Sequence, residues 1–142
     1  MIKIPLEILN LEDDGFHLLV DVQIFNKLFK AVVDTGASRT VLDKITVEEY
    51  IDAEALLLSD KLSAGLGTNS MESYMLTIPE LTIGPLSIPD FDVAVLDLSM
   101  INIAYEKIEA LPVIGVIGGD VMMRYGAVID YNFPDICFSK IP

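Results

Sequence analysis

The chain has 142 residues, 52% of them hydrophobic, and carries a formal net charge of −13. That length and apolar content fit one globular domain, 1–142, with a core of its own, and exclude a disordered chain. The acidic balance repels nucleic acid and anionic membranes, so neither is an expected partner, and no apolar run approaches the roughly 18 residues that span a bilayer.

The opening "MIKIPLEILNLEDD" meets acids too early for a signal peptide. "IKIPLEIL" and "FHLLVDVQIF" alternate apolar and polar residues and predict two strands, with "NLEDDG" as the turn between them. A short Asn26-Lys27 turn leads into a third strand, "KLFKAVV". "ITVEEYIDAEALLL" is ambiguous between strand and short helix. "DKLSAGLGTNSMESYMLTI" predicts two strands around a Gly-rich tip, and "ELTIGPLSIPDFDVAVLDL" a hairpin turning at Gly84-Pro85. In "SMINIAYEKIEAL" the apolar residues Ile101, Ala104, Tyr105, Ile108 and Leu111 fall at helical spacing, with Ser99 as cap and Pro112 as stop. "LPVIGVI" predicts a buried strand, "GGDVMMRY" a short helix with Asp120 in its first turn, and "GAVIDY" and "ICFSK" two closing strands. Cys137 is the one cysteine, so no internal disulfide forms. It is expected as a buried, inert thiol in a reducing, cytoplasmic setting.

The stretch with chemistry in it is "AVVDTGASRTVLD", residues 31–43. An apolar strand ends on a carboxylate, Asp34, followed at once by Thr35 and Gly36. Taken alone, this is an acid at a strand end or an ordinary Asx-type turn. A second stretch, "PVIGVIGGDVMMRYGAVIDY", runs from 112 to 131, and a third, "AGLGTN", from 64 to 69. Residues 114–119 lack the Gly-Lys-Ser/Thr ending of a phosphate loop and the G-x-G-x-x-G of a dinucleotide site.

In order and spacing these three stretches resemble the retropepsin-like aspartic proteases, most closely the cellular and bacterial single-domain members. The resemblance covers residues 16 to 140. It implies a mainly β, closed β-barrel with one or two short helices and a dimeric active site. It also implies an aspartic endopeptidase in which Asp34 is the acid–base group. Thr35 would bond a facing loop, and Gly36 would turn the backbone so that its N–H meets the carboxylate. Ala37 and Ser38 would touch substrate. So would Gly65, Leu66 and Gly67, at the tip of a flap. Val116, Ile117 and Gly118 would thread beside the catalytic loop and support it.

Viral members place an Arg after the late Gly and pair it with an acid after Asp-Thr-Gly-Ala. Here those positions hold Gly119 and Ser38, and Arg39 and Asp120 are the nearby charges, expected to pair instead. The helix near 99–111 is longer than in viral members and could serve as lid, dimer contact or core cover. The family's reaction needs two carboxylates about 3 Å apart that share one proton. The chain has one Asp-Thr-Gly, and Asp120 and Asp130 lack the following Thr/Ser-Gly. The resemblance therefore implies a homodimer that acts on a peptide or protein, with Asp34 from each copy on the twofold axis. It implies no cofactor and no metal; His17, the one histidine, has no clustered ligands. The alternative is a non-catalytic peptide-binding or dimerisation module on the same fold. A weaker one is a domain of a larger assembly that cuts a single partner protein.

Overall fold

The computed structural model describes residues 1–12, 15–58 and 72–140. Eleven strands and three short helices are present among them. The segment "IKIPLEIL", expected as one strand, divides at Leu6 into β1 (Ile2–Pro5) and β2 (Glu7–Asn10). Leu6 is buried, and its N–H leaves the ladder to donate to the Pro134 carbonyl at 3.0 Å. The break sends the two halves to different sheets.

β3 (Phe16–Ile24) and β4 (Lys27–Val33) form a hairpin closed by Phe25 and Asn26. Both turn residues have positive φ, 55° and 59°. A two-residue loop of this kind matches the twist of the strands it joins, so Phe25 is held in a conformation that aromatic residues rarely adopt. The turn sits one residue earlier than the expected Asn26-Lys27, because Lys27 already pairs with Ile24. After β5 (Val41–Asp43) the ambiguous stretch supplies α1 (Lys44–Val47), a single 3₁₀ turn and the two-residue β6 (Leu57–Leu58).

β7 (Tyr74–Ile83) and β8 (Leu86–Leu96) form the long hairpin around Gly84-Pro85. "YMLTI" and "ELTI", expected in separate hairpins, are one strand that runs through Pro79. The position opposite is Asp90, with φ 47°; these two are missing from an otherwise unbroken ladder, since proline has no N–H to give it. Then follow α2 (Ser99–Lys107), β9 (Gly115–Ile117), α3 (Gly119–Arg124), β10 (Ala127–Asp130) and β11 (Asp135–Phe138).

The larger sheet has the order β2-β3-β4-β9-β5-β8-β7-β6, and Gln23 opposite Thr82 joins β3 to β7. Six strands thereby close into a barrel, as expected. The smaller sheet has the order β1-β11-β10, which leaves β10 at an edge. Among the described residues no helix is long and apolar enough to cross a membrane.

Two apolar cores explain why several strands read as continuous apolar runs. Side chains alternate across a strand. Val20, Val22, Ala31, Val33 and Ile117 point into the barrel with Ile78, Leu81 and Val93. The alternate residues Leu19, Val32 and Val116 point outwards and join Tyr105 and Val113 in a second, smaller cluster. α2 covers that cluster. Only Tyr105 of the helix is fully buried, with Ile101 and Ile108 half-buried. Ala104 and Leu111, expected on the same face, are exposed, because the helix ends before Leu111 and Ala104 lies to one side.

The ends of α2 also differ from expectation. Ser99 is its first residue rather than its cap. The cap position is Leu98, and the Asp97 carboxylate accepts the Ser99 N–H at 2.9 Å. The helix stops well before Pro112, where Glu109 turns left-handed at φ 60°. The Ala110 N–H returns to the Tyr105 carbonyl at 2.9 Å and the Glu109 N–H to that of Glu106 at 3.0 Å, a Schellman closure. Cys137, expected buried, is half-buried on the outer face of β11.

Candidate active site

β9 is threaded between β4, to which it runs parallel, and β5, to which it runs antiparallel. The passage is narrow. A Cβ on Gly115 would stand 2.0 Å from the Val41 carbonyl oxygen, so no larger residue fits there. The thread fixes where β4 ends. Val33 pairs with Ile117, and the next N–H, that of Asp34, donates to the Ile117 carbonyl at 3.0 Å. Beyond Asp34 the chain leaves the sheet.

The loop 34–40 then folds over the end of β9. The Gly36 N–H donates to Asp34 Oδ1 at 2.9 Å, and the Ala37 N–H to the Asp34 carbonyl at 3.2 Å. The carboxylate is thus held by the backbone of its own turn. From the other side the Gly119 N–H donates to the Ala37 carbonyl at 2.7 Å. Gly118 lies against the loop backbone so closely that a Cβ there would stand 2.6 Å from the Arg39 carbonyl. Ile117, Gly118 and Gly119 therefore contact the loop directly. Asp34, Thr35, Gly36 and Ser38 are all solvent-exposed in the single chain, and Ala37 is half-buried.

The expected Arg39–Asp120 pair does not form. Asp120 turns to Thr40, whose N–H and hydroxyl donate to its two carboxylate oxygens at 2.9 and 2.8 Å. Thr40 has no solvent exposure, and its hydroxyl oxygen also accepts the Gly118 N–H at 3.1 Å. One hydroxyl thus ties the far end of the Asp34 loop to the start of α3. Arg39 remains exposed. A buried threonine was a better partner for Asp120 than an exposed arginine, because the two Thr40 donors need acceptors and water cannot reach them.

A cleft of about 250 Å³ opens over the loop, walled by Asp34, Thr35, Phe16, His17, Ile101 and Tyr131 among others. The β3–β4 register explains the company of His17. The last pair is Leu18 opposite Val33, and one step further sets His17 across from Asp34. His17 Nδ1 lies 2.6 Å from the Tyr105 hydroxyl. Burial pushes that phenol up to about 12. Sequence reasoning marked His17 only as lacking metal partners and missed Thr40 altogether. Asp43 was missed too. It is buried and accepts from Thr46 N–H at 3.3 Å and Leu98 N–H at 2.9 Å, so it caps α1 and pins the entry to α2.

Gly65, Leu66 and Gly67, expected at a flap tip, lie outside the described residues. The chain on either side is antiparallel, with Leu57 opposite Met75 and Leu58 opposite Tyr74.

Residues 20–121 match the family model described as "Aspartyl protease". Among the curated proteins none matches. Three solved structures are similar in fold. The retroviral protease-like domain of Ddi1 from Leishmania major has a TM-score of 0.62 at 20% identity, over 88% of this chain and 90% of that one. A retropepsin-like aspartic protease from Rickettsia conorii has 0.57 at 20%, over 95% and 90%. The EIAV protease, complexed with the inhibitor HBY-793, has 0.54 at 17%, over 79% and 90%. The fold is retropepsin-like.

Proposed function

Since the chain belongs to the aspartyl protease family, we propose that it is an aspartic endopeptidase whose carboxylate dyad comes from Asp34 of two copies. The observation that carries this reading is the loop itself. Asp34 ends β4, its carboxylate accepts the Gly36 N–H, and the backbone of Ile117 to Gly119 holds the loop from behind. A rigid scaffold of this kind keeps a catalytic carboxylate in place without using its second oxygen.

In the proposed reaction one Asp34 takes a proton from a bound water, which attacks the scissile peptide carbonyl. The protonated Asp34 of the other copy hydrogen-bonds the carbonyl oxygen and stabilises the tetrahedral intermediate. Two features support pairing of copies. The Asp34-Thr35-Gly36 tip is exposed in the single chain. The unpaired edge strand β10 carries Val128 at 62% exposure and leads to Tyr131, at 65%, in the wall of the same cleft. An apolar, unprotected edge beside a site invites a partner strand. Thr35 is assigned to hold the two loops together. Substrate contact is assigned to Ala37 and Ser38 and, on sequence resemblance alone, to Gly65, Leu66 and Gly67. A single domain over 1–142 and a cytoplasmic location belong to the same reading.

The test is Asp34→Asn. The variant should keep its melting temperature and lose cleavage of a peptide library, because no group remains to take the proton from water. Cleavage at the wild-type rate by the purified variant would return the chain to a peptide-binding or dimerisation module.

A further inference from the structure

Two cavities meet at His17. One is the cleft over Asp34. The other is a groove of about 570 Å³ between α2 and the start of β3, walled by Leu11, Met100, Ala104, Tyr105 and Ile108. That volume lies within the roughly 300–1,000 Å³ of ordinary binding clefts. His17 and Ile101 line both, so groove and cleft adjoin.

The chemistry at this junction follows from Tyr105. The residue is 1% exposed, and its hydroxyl has His17 Nδ1 as its hydrogen-bond partner among the described residues. A buried hydroxyl has to give its proton to an acceptor. Tyr105 therefore donates to Nδ1, which assigns the ring proton to Nε2. That Nε2–H makes no hydrogen bond to the described residues. A largely apolar groove thus adjoins the more polar Asp34 cleft at a single unused donor, one register step across from Asp34.

We propose that the α2 groove is a substrate subsite that takes a large apolar side chain of an extended peptide, with His17 Nε2–H donating to a backbone carbonyl of that peptide. The proposal rests on the peptidase reading. Continuity with the Asp34 cleft identifies the occupant. A chain lying across Asp34 reaches His17 next, and an extended peptide offers a carbonyl there and a side chain beyond it. His17 is then a positioning residue, and the apolar groove wall selects the side chain.

The test measures binding, so that it does not depend on turnover. A decapeptide selected for binding to the Asp34→Asn protein is remade with Leu or Ala at each position in turn. One position should prefer Leu about tenfold, the gain expected when a large aliphatic side chain is partly buried. Ala104→Trp fills the groove from an exposed site and should abolish that preference while the Ala peptide binds as before. His17→Asn keeps an acceptor for Tyr105 but removes the Nε2 donor. It should weaken the Leu and Ala peptides alike, by about three- to tenfold. A chain that selects no peptide, shows no such position, or keeps its preference in Ala104→Trp overturns the subsite. Wild-type protein that shows the pattern but cuts nothing would sink the peptidase reading and leave the subsite standing.

Discussion

Thr40 joins the two halves of the candidate site through one side chain: its hydroxyl accepts from Gly118 and donates to Asp120. Thr40→Val keeps the shape and removes both roles. It leaves the Gly118 N–H buried without an acceptor and takes a donor from a carboxylate, a loss of roughly 2–3 kcal/mol. Urea unfolding should show it, while Thr40→Ser should stay within about 1 kcal/mol of wild type. A neutral Thr40→Val would mean that the loop is held elsewhere. Asp34-Thr35-Gly36 was legible in the sequence because its chemistry is local: a carboxylate, and two residues later the N–H that binds it. The Thr40–Asp120 tie was not, since its partners lie 80 residues apart. Charge drew attention to Arg39, one position early, whereas burial picks the hydroxyl.

At the scale of elements, the β3–β4 hairpin was read almost to the residue, whereas a break at Leu6 split one expected strand and a run through Pro79 joined two. β3 and β4 came out within one position because their alternation is set by one barrel wall. α2 was located but misjudged at both ends, because end chemistry there is unusual. Its left-handed closing residue is Glu109, at φ 60°, where glycine is the common choice. Glu109→Gly should therefore stabilise the chain by about 0.5–1 kcal/mol, seen as a melting temperature higher by a few degrees. An unchanged or lower value would mean that the Glu109 side chain contributes more than its backbone strain costs. The buried face of α2 gives a second expectation. Burial raises the Tyr105 phenol from 10.0 to about 12. Between those values the folded chain keeps a proton that the unfolded chain releases, so this contribution is complete below about pH 10 and is lost as pH rises towards 12. Unfolding free energies at about pH 9 and about pH 11.5 should fall less steeply in Tyr105→Phe than in wild type. Equal slopes would show that the phenol is not desolvated.

For the molecule as a whole, the decisive property is whether one chain suffices. The fold was legible because three motifs fall in the family's order along the chain. The proposed homodimer rests on arithmetic: one Asp-Thr-Gly, and a reaction that needs two carboxylates. The exposed loop tip and the apolar β10 edge fit that count. Mixing separates a shared site from a private one. Suppose wild type and Asp34→Asn exchange subunits freely in equal amounts. About a quarter of the dimers then carry two aspartates and about half carry one. If both carboxylates are required, activity per wild-type chain should drop to about half, and it should keep falling as more variant is added. If each chain acts alone, added Asp34→Asn should change nothing at any ratio. Dilution gives the same answer by another route. A shared site loses specific activity once the concentration falls below the dimer's dissociation constant, and Val128→Lys, which sets a charge on the exposed β10 edge, should move that loss to higher concentration. Specific activity that stays constant under both mixing and dilution would place the whole reaction in a single chain, where the described residues offer no second Asp-Thr-Gly to complete it.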